Sequence, residues 1–223
     1  MLFGRFNLPQ LLVSALMLLT IMPIHEYAHA LTAYKLGDGT ARFNGRLTLN
    51  PLAHLDLWGS IAFLLCGFGW GKPVPVYGSN LRNPKRDMMI VAMAGPASNV
   101  LLALVFNALT AVLSAVFGAV GFVNNFAYGV LWVLQTLSMT SVYWAVFNLL
   151  PVPPLDGSRL LEYIIPYKYY AKIEYYQRYI YLGMLLLMFT GVLSRPIMFF
   201  SGLITKLLNV ILLPLTFLLG LLS

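Results

Sequence analysis

The chain has 223 residues, of which 60% are hydrophobic and only 9% are charged, and its mean hydropathy is +0.80. A soluble domain carries about 25% charged residues, so this composition excludes an ordinary soluble protein and indicates an integral membrane protein. The 14 basic residues outnumber the 7 acidic ones. We interpret this excess of positive charge as loops at a membrane surface, because the chain has no stripe of alternating basic and aromatic residues of the kind that binds nucleic acid.

The first predicted element is an apolar run over residues 8–36, which is long enough to cross a bilayer as a helix. It contains the pattern H-E-x-x-H, formed by His25, Glu26 and His29. Ionisable side chains at that depth are costly and usually mark a working site. On a helix the two histidines lie one turn apart on one face, so both can bind one zinc ion while the glutamate handles protons.

A cleaved signal peptide is the alternative interpretation of this run. Arg5 resembles a charged n-region, and Ala28-His29-Ala30 resembles a cleavage site. However, the apolar stretch is longer than the usual h-region, and cleavage would cut through H-E-x-x-H. We therefore expect the run to remain in the membrane.

A polar segment follows over residues 37–86. Within it, residues 41–49 are predicted to form either a small β-hairpin or a surface loop, because an Asn-Gly pair is a strong turn signal between short strands. An apolar piece over residues 60–70 is too short to cross a bilayer, so we expect a re-entrant or interfacial segment. Asp38, in a Gly-Asp-Gly turn, is expected to be solvated.

Two further spans are predicted over residues 87–120 and 128–150, and the second of them runs into N-x-x-P-x-P-x-L-D-G at residues 148–157. The prolines force extended backbone, and Gly157 permits a tight turn beside the Asp156 carboxylate. Such irregular backbone is tolerated at membrane depth where it lines a cavity. Asp156 is either a plain loop acid or the third protein ligand that catalytic zinc usually takes, and H-E-x-x-H favours the ligand.

A second polar segment, residues 151–178, is rich in tyrosines, which favour the headgroup level of a membrane. The last two predicted spans, residues 179–193 and 197–222, carry almost no polar side chains. The predicted fold is therefore an all-α polytopic membrane protein, with about five transmembrane helices in a single domain over residues 1–223.

The distribution of charge predicts how the chain is oriented. Basic residues concentrate in the two polar segments, which lie on the same side if the spans alternate, whereas the opposite side shows only Arg5 and Arg195. The positive-inside rule places both segments in the cytoplasm and the N-terminus outside. His25 then lies about 25 Å along the first span at 1.5 Å per residue, nearer the cytoplasmic face.

Three motifs together resemble the site-2 protease family of intramembrane zinc metalloproteases. H-E-x-x-H lies in the first span, G-P-x-x-N stands at residues 95–99 near the start of the second, and N-x-x-P-x-P-x-L-D-G follows the third. In this order and in a membrane, the combination is highly specific and covers roughly residues 20–160. Many members carry a PDZ or CBS domain, for which this chain has no room, so we expect a minimal form.

The resemblance implies that His25, His29 and Asp156 bind one zinc ion per chain and that Glu26 is the general base. It implies a catalytic core at about residues 8–160, with extra C-terminal spans at about 179–222.

Weaker candidates for stabilising the oxyanion or binding substrate backbone are Asn148, Asn99 and His54. Each has a structural alternative: Asn148 could cap or bridge helices, Asn99 could hold its span to a neighbour, and His54 could be a loop histidine paired with Asp56.

The function implied by the resemblance is an intramembrane zinc endopeptidase, with membrane proteins that have a transmembrane segment as substrates and the lipid bilayer as its surroundings. Because a helix hides its scissile bond, cleavage requires local unwinding, and the predicted hairpin is a candidate edge for the unwound strand. The pattern specifies no oligomeric state.

Two other functions remain open. A metal-binding transporter or sensor should carry further polar residues along several spans, and the last two spans show almost none. A catalytically idle membrane chaperone of the same fold would usually have lost the base or a ligand, and here all four residues are present.

Overall fold

The computed structural model describes residues 8–67 and 69–220, and within them the chain is helical, with one isolated β-bridge between Leu55 and Gly71. In chain order the helices are α1 (Leu8–Lys35), α2 (Thr40–Phe43), α3 (Pro51–His54), α4 (Leu57–Cys66), α5 (Pro84–Ala119), α6 (Asn125–Asn148), α7 (Gly157–Ile164), α8 (Tyr167–Tyr175), α9 (Gln177–Phe189) and α10 (Ser194–Gly220), with a 3₁₀ turn at Gly78–Asn80.

Four of these helices, α1, α5, α6 and α10, are long and apolar enough to cross a membrane. The all-α polytopic fold is confirmed, but the expectation of about five spans is wrong by one. α9 has 13 residues, about 20 Å at 1.5 Å per residue, and the hydrocarbon core of a bilayer is about 30 Å thick. It ends because Gly191 adopts φ +73° and turns the chain into α10.

The predicted β-hairpin at residues 41–49 is wrong. Its place is taken by α2 and the turn that ends this helix, where Gly45 has φ +66° and the Arg46 amide donates to the Ala41 carbonyl. An Asn-Gly pair favours the left-handed conformation, which serves a helix C-terminus as well as a hairpin turn. The Asn-Gly pair does form a turn, but this turn ends a helix instead of joining two strands.

The spanning helices pack through two apolar clusters. One joins α1 to α6 and is formed by Val13, Met17, Ile21 and Leu137. The other joins α5, α6 and α10 and is formed by Ala103, Val142, Val146, Ile197 and Leu208. α1, α5 and α6 therefore form the centre of the protein, and α10 packs on its outside.

The non-helical segment 69–77 is held against the short helices by backbone contacts. The Lys72 amide donates to the His54 carbonyl at 2.8 Å. A side chain at Gly59 would overlap the backbone of Trp70, so only glycine permits this approach to α4. Pro73 and Pro75 favour extended backbone at the residues before them. This segment, which we call the wall segment, passes close to the residues of the predicted site.

Asp38 is completely buried, so the expectation that it is solvated is wrong. One carboxylate oxygen accepts from the Thr40 amide at 3.0 Å, the Thr40 hydroxyl at 2.5 Å and Asn80 Nδ2 at 3.0 Å, and the other accepts from the Tyr77 amide at 2.7 Å. Burial by itself raises the pKa of Asp38, but these hydrogen bonds outweigh burial and hold the pKa below its usual value. The carboxylate joins the end of α1 to the end of the wall segment.

Asp38→Asn should destabilise the protein at neutral pH by about 1–3 kcal/mol, because the new side chain accepts only at its oxygen and its NH2 group would face either the Tyr77 amide or the Thr40 and Asn80 donors. A carboxyl whose pKa is lower in the folded than in the unfolded state contributes stability above its unfolded pKa and loses it as the pH falls. The difference between wild type and variant should therefore shrink below about pH 4.

Unfolding in mild detergent from neutral to acidic pH measures this difference, and effects common to both proteins cancel. Glu174→Gln, which changes an exposed carboxylate, is the control and should show no comparable trend. A wild-type advantage that stayed constant into acid would show that the charge of Asp38 does not matter.

Candidate metal centre

Three donor atoms from distant parts of the chain converge beside α1. His25 Nε2 and His29 Nε2 are 3.0 Å apart, and Asp156 Oδ2 lies 3.2 Å from the first and 3.3 Å from the second. Both histidines are 8% exposed. Among the described residues this is the group of histidine, cysteine and acidic side chains arranged closely enough to hold a metal ion.

The backbone of α5 fixes the orientation of the His29 ring. His29 Nδ1 lies 2.8 Å from the Val91 carbonyl oxygen. A carbonyl oxygen only accepts hydrogen bonds, so Nδ1 carries the proton and the neutral ring presents an unprotonated Nε2 to the cluster. Such an outer hydrogen bond is the usual way in which proteins orient a metal-binding histidine.

The loop between α6 and α7 brings Asp156 to the histidines. Gly157 follows immediately and packs so closely on the Leu149 and Leu150 carbonyl groups that a side chain there would overlap them. The close packing at Gly157 explains why the loop needs glycine beside Asp156. It also gives the carboxylate a fixed position relative to the end of α6.

The donor set fits a zinc ion. Tetrahedral zinc with bonds of about 2.0–2.1 Å needs its ligand atoms about 3.3 Å apart, and the three atoms form a triangle close to that size. Asp156 Oδ2 is buried and receives no hydrogen bond from the described residues. Three electron-rich atoms in such a place call for a shared cation, and nitrogen and oxygen ligands suit zinc.

Gly95 lets the two imidazoles lie directly against α5. A Cβ at this position would lie 2.5 Å from His25 Cε1 and closer still to His29 Nε2. Only glycine leaves that space to the rings and to whatever they bind. The sequence singled out Gly95 as part of G-P-x-x-N but gave no reason for the glycine, because the reason lies in a contact with a different helix.

Glu26 lies next to the cluster and is anchored by the wall segment. The Val74 amide donates to Glu26 Oε2 at 3.3 Å. The sequence did not predict this contact, since the two residues are 48 positions apart. It leaves the second carboxylate oxygen of Glu26 without a hydrogen bond from the described residues, beside the cavity that the two histidines line.

The cavity at the cluster has a volume of about 600 Å³. Its polar side chains include the three clustered residues, Glu26, Asn148 and Arg159. Much of the remaining lining is apolar and comes from α1, α4, α5, α6 and α9, with four methionines: Met22, Met88, Met184 and Met188. The wall segment contributes Trp70, Gly71, Pro73, Val74 and Val76. The cavity therefore combines a mostly apolar lining with a small set of polar side chains.

Of the three weaker candidates, the structure brings only Asn148 to the cavity lining. Asn99 is fully buried one turn from Gly95, and neither atom of its amide group has a hydrogen-bond partner in the described structure. His54 is also fully buried, and its Nε2 lies 2.8 Å from the Thr48 carbonyl oxygen. The expected pairing of His54 with Asp56 does not form among the described residues, and Asp56 caps α4 by accepting from the Gly59 amide.

This chain is similar to one protein family and to several named proteins. The model of peptidase family M50 matches residues 13–190. "Putative zinc metalloprotease YwhC" of Bacillus subtilis is 37% identical over 183 residues, which are 82% of this chain and 81% of the relative. "Putative zinc metalloprotease Rip2" of Mycolicibacterium smegmatis is 35% identical over 62% of this chain and 52% of the relative. "Putative zinc metalloprotease Rip3" of Mycobacterium tuberculosis is 31% identical over 66% and 30%. No solved structure matches the chain.

Gly95→Ala should weaken zinc binding at least about tenfold, because the added methyl group would displace both imidazoles from their present positions. Metal content after dialysis and competition with a chelator measure the effect. Gly118→Ala is the matched control, since Gly118 lies in the same helix and faces open space; it should bind zinc like the wild type. Normal zinc affinity in Gly95→Ala would show that the rings do not need their present positions.

Proposed function

The chain belongs to peptidase family M50, the site-2 protease family, and from this premise we propose that it is a membrane-embedded zinc metalloprotease. We propose further that it hydrolyses peptide bonds in or near the transmembrane segments of other membrane proteins. The observation that carries this proposal is the convergence of His25, His29 and Asp156 beside Glu26, in a cavity walled by three helices long enough to span a membrane.

His25, His29 and Asp156 would hold one zinc ion per chain. When bound there, zinc acts as a Lewis acid that polarises the scissile carbonyl and lowers the pKa of water towards about 7. The Val91 carbonyl and Gly157 keep His29 and the loop carboxylate in position, so little reorganisation is needed when the ion binds.

Glu26 would act as general base and then as general acid. Its carboxylate accepts a proton from the attacking water as the oxygen of that water bonds to the carbonyl carbon. The same carboxyl donates the proton to the amine nitrogen as the carbon–nitrogen bond breaks. The hydrogen bond from the Val74 amide supports this role, because it restrains one carboxylate oxygen while the other stays available.

The substrate would lie in the cavity as a locally unwound strand. A membrane helix pairs its backbone groups internally, so a scissile bond is reached only after a few residues leave the helix. The wall segment, with its two prolines, is non-helical and lines the cavity. It therefore replaces the predicted hairpin as the candidate surface for the unwound strand. Asn148 is the candidate for a hydrogen bond to substrate backbone or to the oxyanion, because its side chain lines the same cavity.

The residues that line the cavity support a catalytic unit that extends beyond residues 8–160. Tyr181, Met184 and Met188 of α9 line it, and Met184 is 5% exposed. We propose that α9 belongs to the catalytic unit, within a single domain that also includes α10. The match of the family model as far as residue 190 agrees with this extension.

The active site is proposed to lie near the cytoplasmic face. With four crossings, residues 149–193 stay on the same side as the segment between α1 and α5, and Arg195 joins that side at the start of α10. Of the 14 basic residues, 12 then belong to this side, and only Arg5 belongs to the other, while Lys206 lies within α10. The positive-inside rule therefore supports a cytoplasmic site more strongly than it does with five spans.

Glu26→Gln should lower the turnover of a model spanning substrate by at least about 100-fold, because proton transfer contributes that much or more. Zinc content should stay at the wild-type level, since Glu26 is not among the three donors. Purified protein in proteoliposomes, assayed for metal and for cleavage, gives both values. Glu174→Gln removes an exposed acid far along the chain and should keep full activity; turnover retained in Glu26→Gln would remove Glu26 from the mechanism.

Cleavage should also depend on how easily the substrate helix opens. Placing Asn-Gly in the middle of a polyleucine spanning peptide should raise its rate of cleavage about tenfold, because glycine costs about 1 kcal/mol in a helix and asparagine adds to this cost. An equal substitution outside the membrane-spanning part is the control. A soluble unstructured peptide cleaved faster than either would argue against an intramembrane substrate.

A further inference from the structure

The outward face of α10 carries a lysine that the proposed function does not use. α10 packs on α5 and α6 through Ile197, Ile204 and Leu208. At about 100° per residue, Lys206 lies about 180° from Ile197 and about 160° from the other two. Its side chain is exposed, so it projects directly away from the rest of the protein.

Lys206 also lies near the middle of a helix that is long enough to span a membrane. It is 12 residues from Ser194 and 14 from Gly220, or about 18 Å and 21 Å at 1.5 Å per residue. The neighbours on its face, including Phe199, Leu213 and Phe217, are large, apolar and exposed. These apolar side chains are suited to contact with lipid, whereas the charged lysine is not.

A lysine at the centre of a spanning helix costs about 2.5–3.5 kcal/mol even on the more permissive scale, and such residues almost always pair or face a water-filled cavity. No hydrogen bond or ion pair joins Lys206 to the described residues. The acidic residues inside the spans are Glu26, which lines the cavity, and Asp87, which is buried at the start of α5. The compensating group must therefore come from outside the chain.

We propose that the outward face of α10 is a docking surface for a transmembrane helix of another protein, one that carries an aspartate or glutamate at the depth of Lys206. The carboxylate would neutralise the lysine away from water. Asn209, three residues on and also exposed, could donate to or accept from the same partner, as polar side chains do between membrane helices. Gly202 lies one turn before the lysine, and a methyl group added there would meet nothing within 4 Å, so the two backbones can approach closely.

A second copy of this chain is a poor occupant of the surface. A two-fold interface on this face would bring two Lys206 side chains together at one depth, and like charges repel strongly in a low dielectric. The Lys206 side chain also cannot easily reach the lipid headgroups instead of a partner, because each end of α10 is farther from Lys206 than the length of a lysine side chain. Charge complementarity thus selects an acidic partner helix.

The test uses labelled full-length protein in neutral phosphatidylcholine vesicles, in the Glu26→Gln background so that no probe is cleaved. The probes are polyleucine spanning peptides with aspartate, asparagine or leucine at the central position, and association is measured by energy transfer. The aspartate peptide should associate at least about tenfold more tightly than the leucine peptide. Lys206→Leu should abolish that preference, and Lys168→Leu, which removes an exposed lysine outside the spans, should keep it.

Three outcomes would overturn the proposal. One is equal association of the aspartate and leucine peptides with Lys206 present. The second is an aspartate preference that survives Lys206→Leu. The third is energy transfer between two labelled copies that depends on Lys206 without any peptide, which would identify a second copy as the occupant.

The cleavage assay separates this proposal from the proposed function. With Glu26 restored, Lys206→Leu should retain its zinc and should cleave the model spanning peptide as the wild type does, which also shows that it folds. Loss of catalysis in every variant would count against the protease and leave the peptide association to be judged by itself.

Discussion

The structure depends on holding two imidazole nitrogens and one carboxylate oxygen 3.0–3.3 Å apart, in a place largely closed to water. A cation bound between them would be shared by all three atoms, and Asp156 Oδ2 has no hydrogen-bond partner in the described structure outside this cluster. Two supports of the cluster come from α5, where the Val91 carbonyl orients one ring and Gly95 makes room for both. The third is Gly157, which fixes the loop that carries the acid. The site therefore depends on contacts that α5 and the loop after α6 make with the two histidines of α1.

A second set of contacts positions the cavity wall rather than the metal. Asp38 holds the Tyr77 amide, the Val74 amide reaches Glu26, and the Lys72 amide pairs with the His54 carbonyl. All three donors are backbone groups of one short segment. A buried carboxylate beyond the end of α1 therefore helps to determine where the proposed general base meets its substrate.

Local patterns predicted the parts of the site that are close in sequence. The spacing of His25 and His29 on one helix required only the helical repeat. Asp156 was singled out by its proline-rich loop together with H-E-x-x-H, and the resemblance then implied the same ligand. The roles of Gly95, Val74 and Asp38 could not be predicted, because each depends on a contact between segments far apart in the chain. The prediction of a hairpin was wrong for a different reason. An Asn-Gly pair favours a left-handed backbone conformation, but it does not determine whether a strand or a helix precedes it. The outward position of Lys206 became clear only when the packed face of α10 was known.

The four methionines of the cavity have a consequence for selectivity. Methionine is unbranched and polarizable, so its side chain adapts to neighbours of different shape. Met22 of α1, Met88 of α5, and Met184 and Met188 of α9 all line the cavity, so its lining can adapt to residues of different shape. In the protease proposed above, such a lining would make the cleavage point depend less on the identity of the side chains than on how easily the backbone of the substrate unwinds.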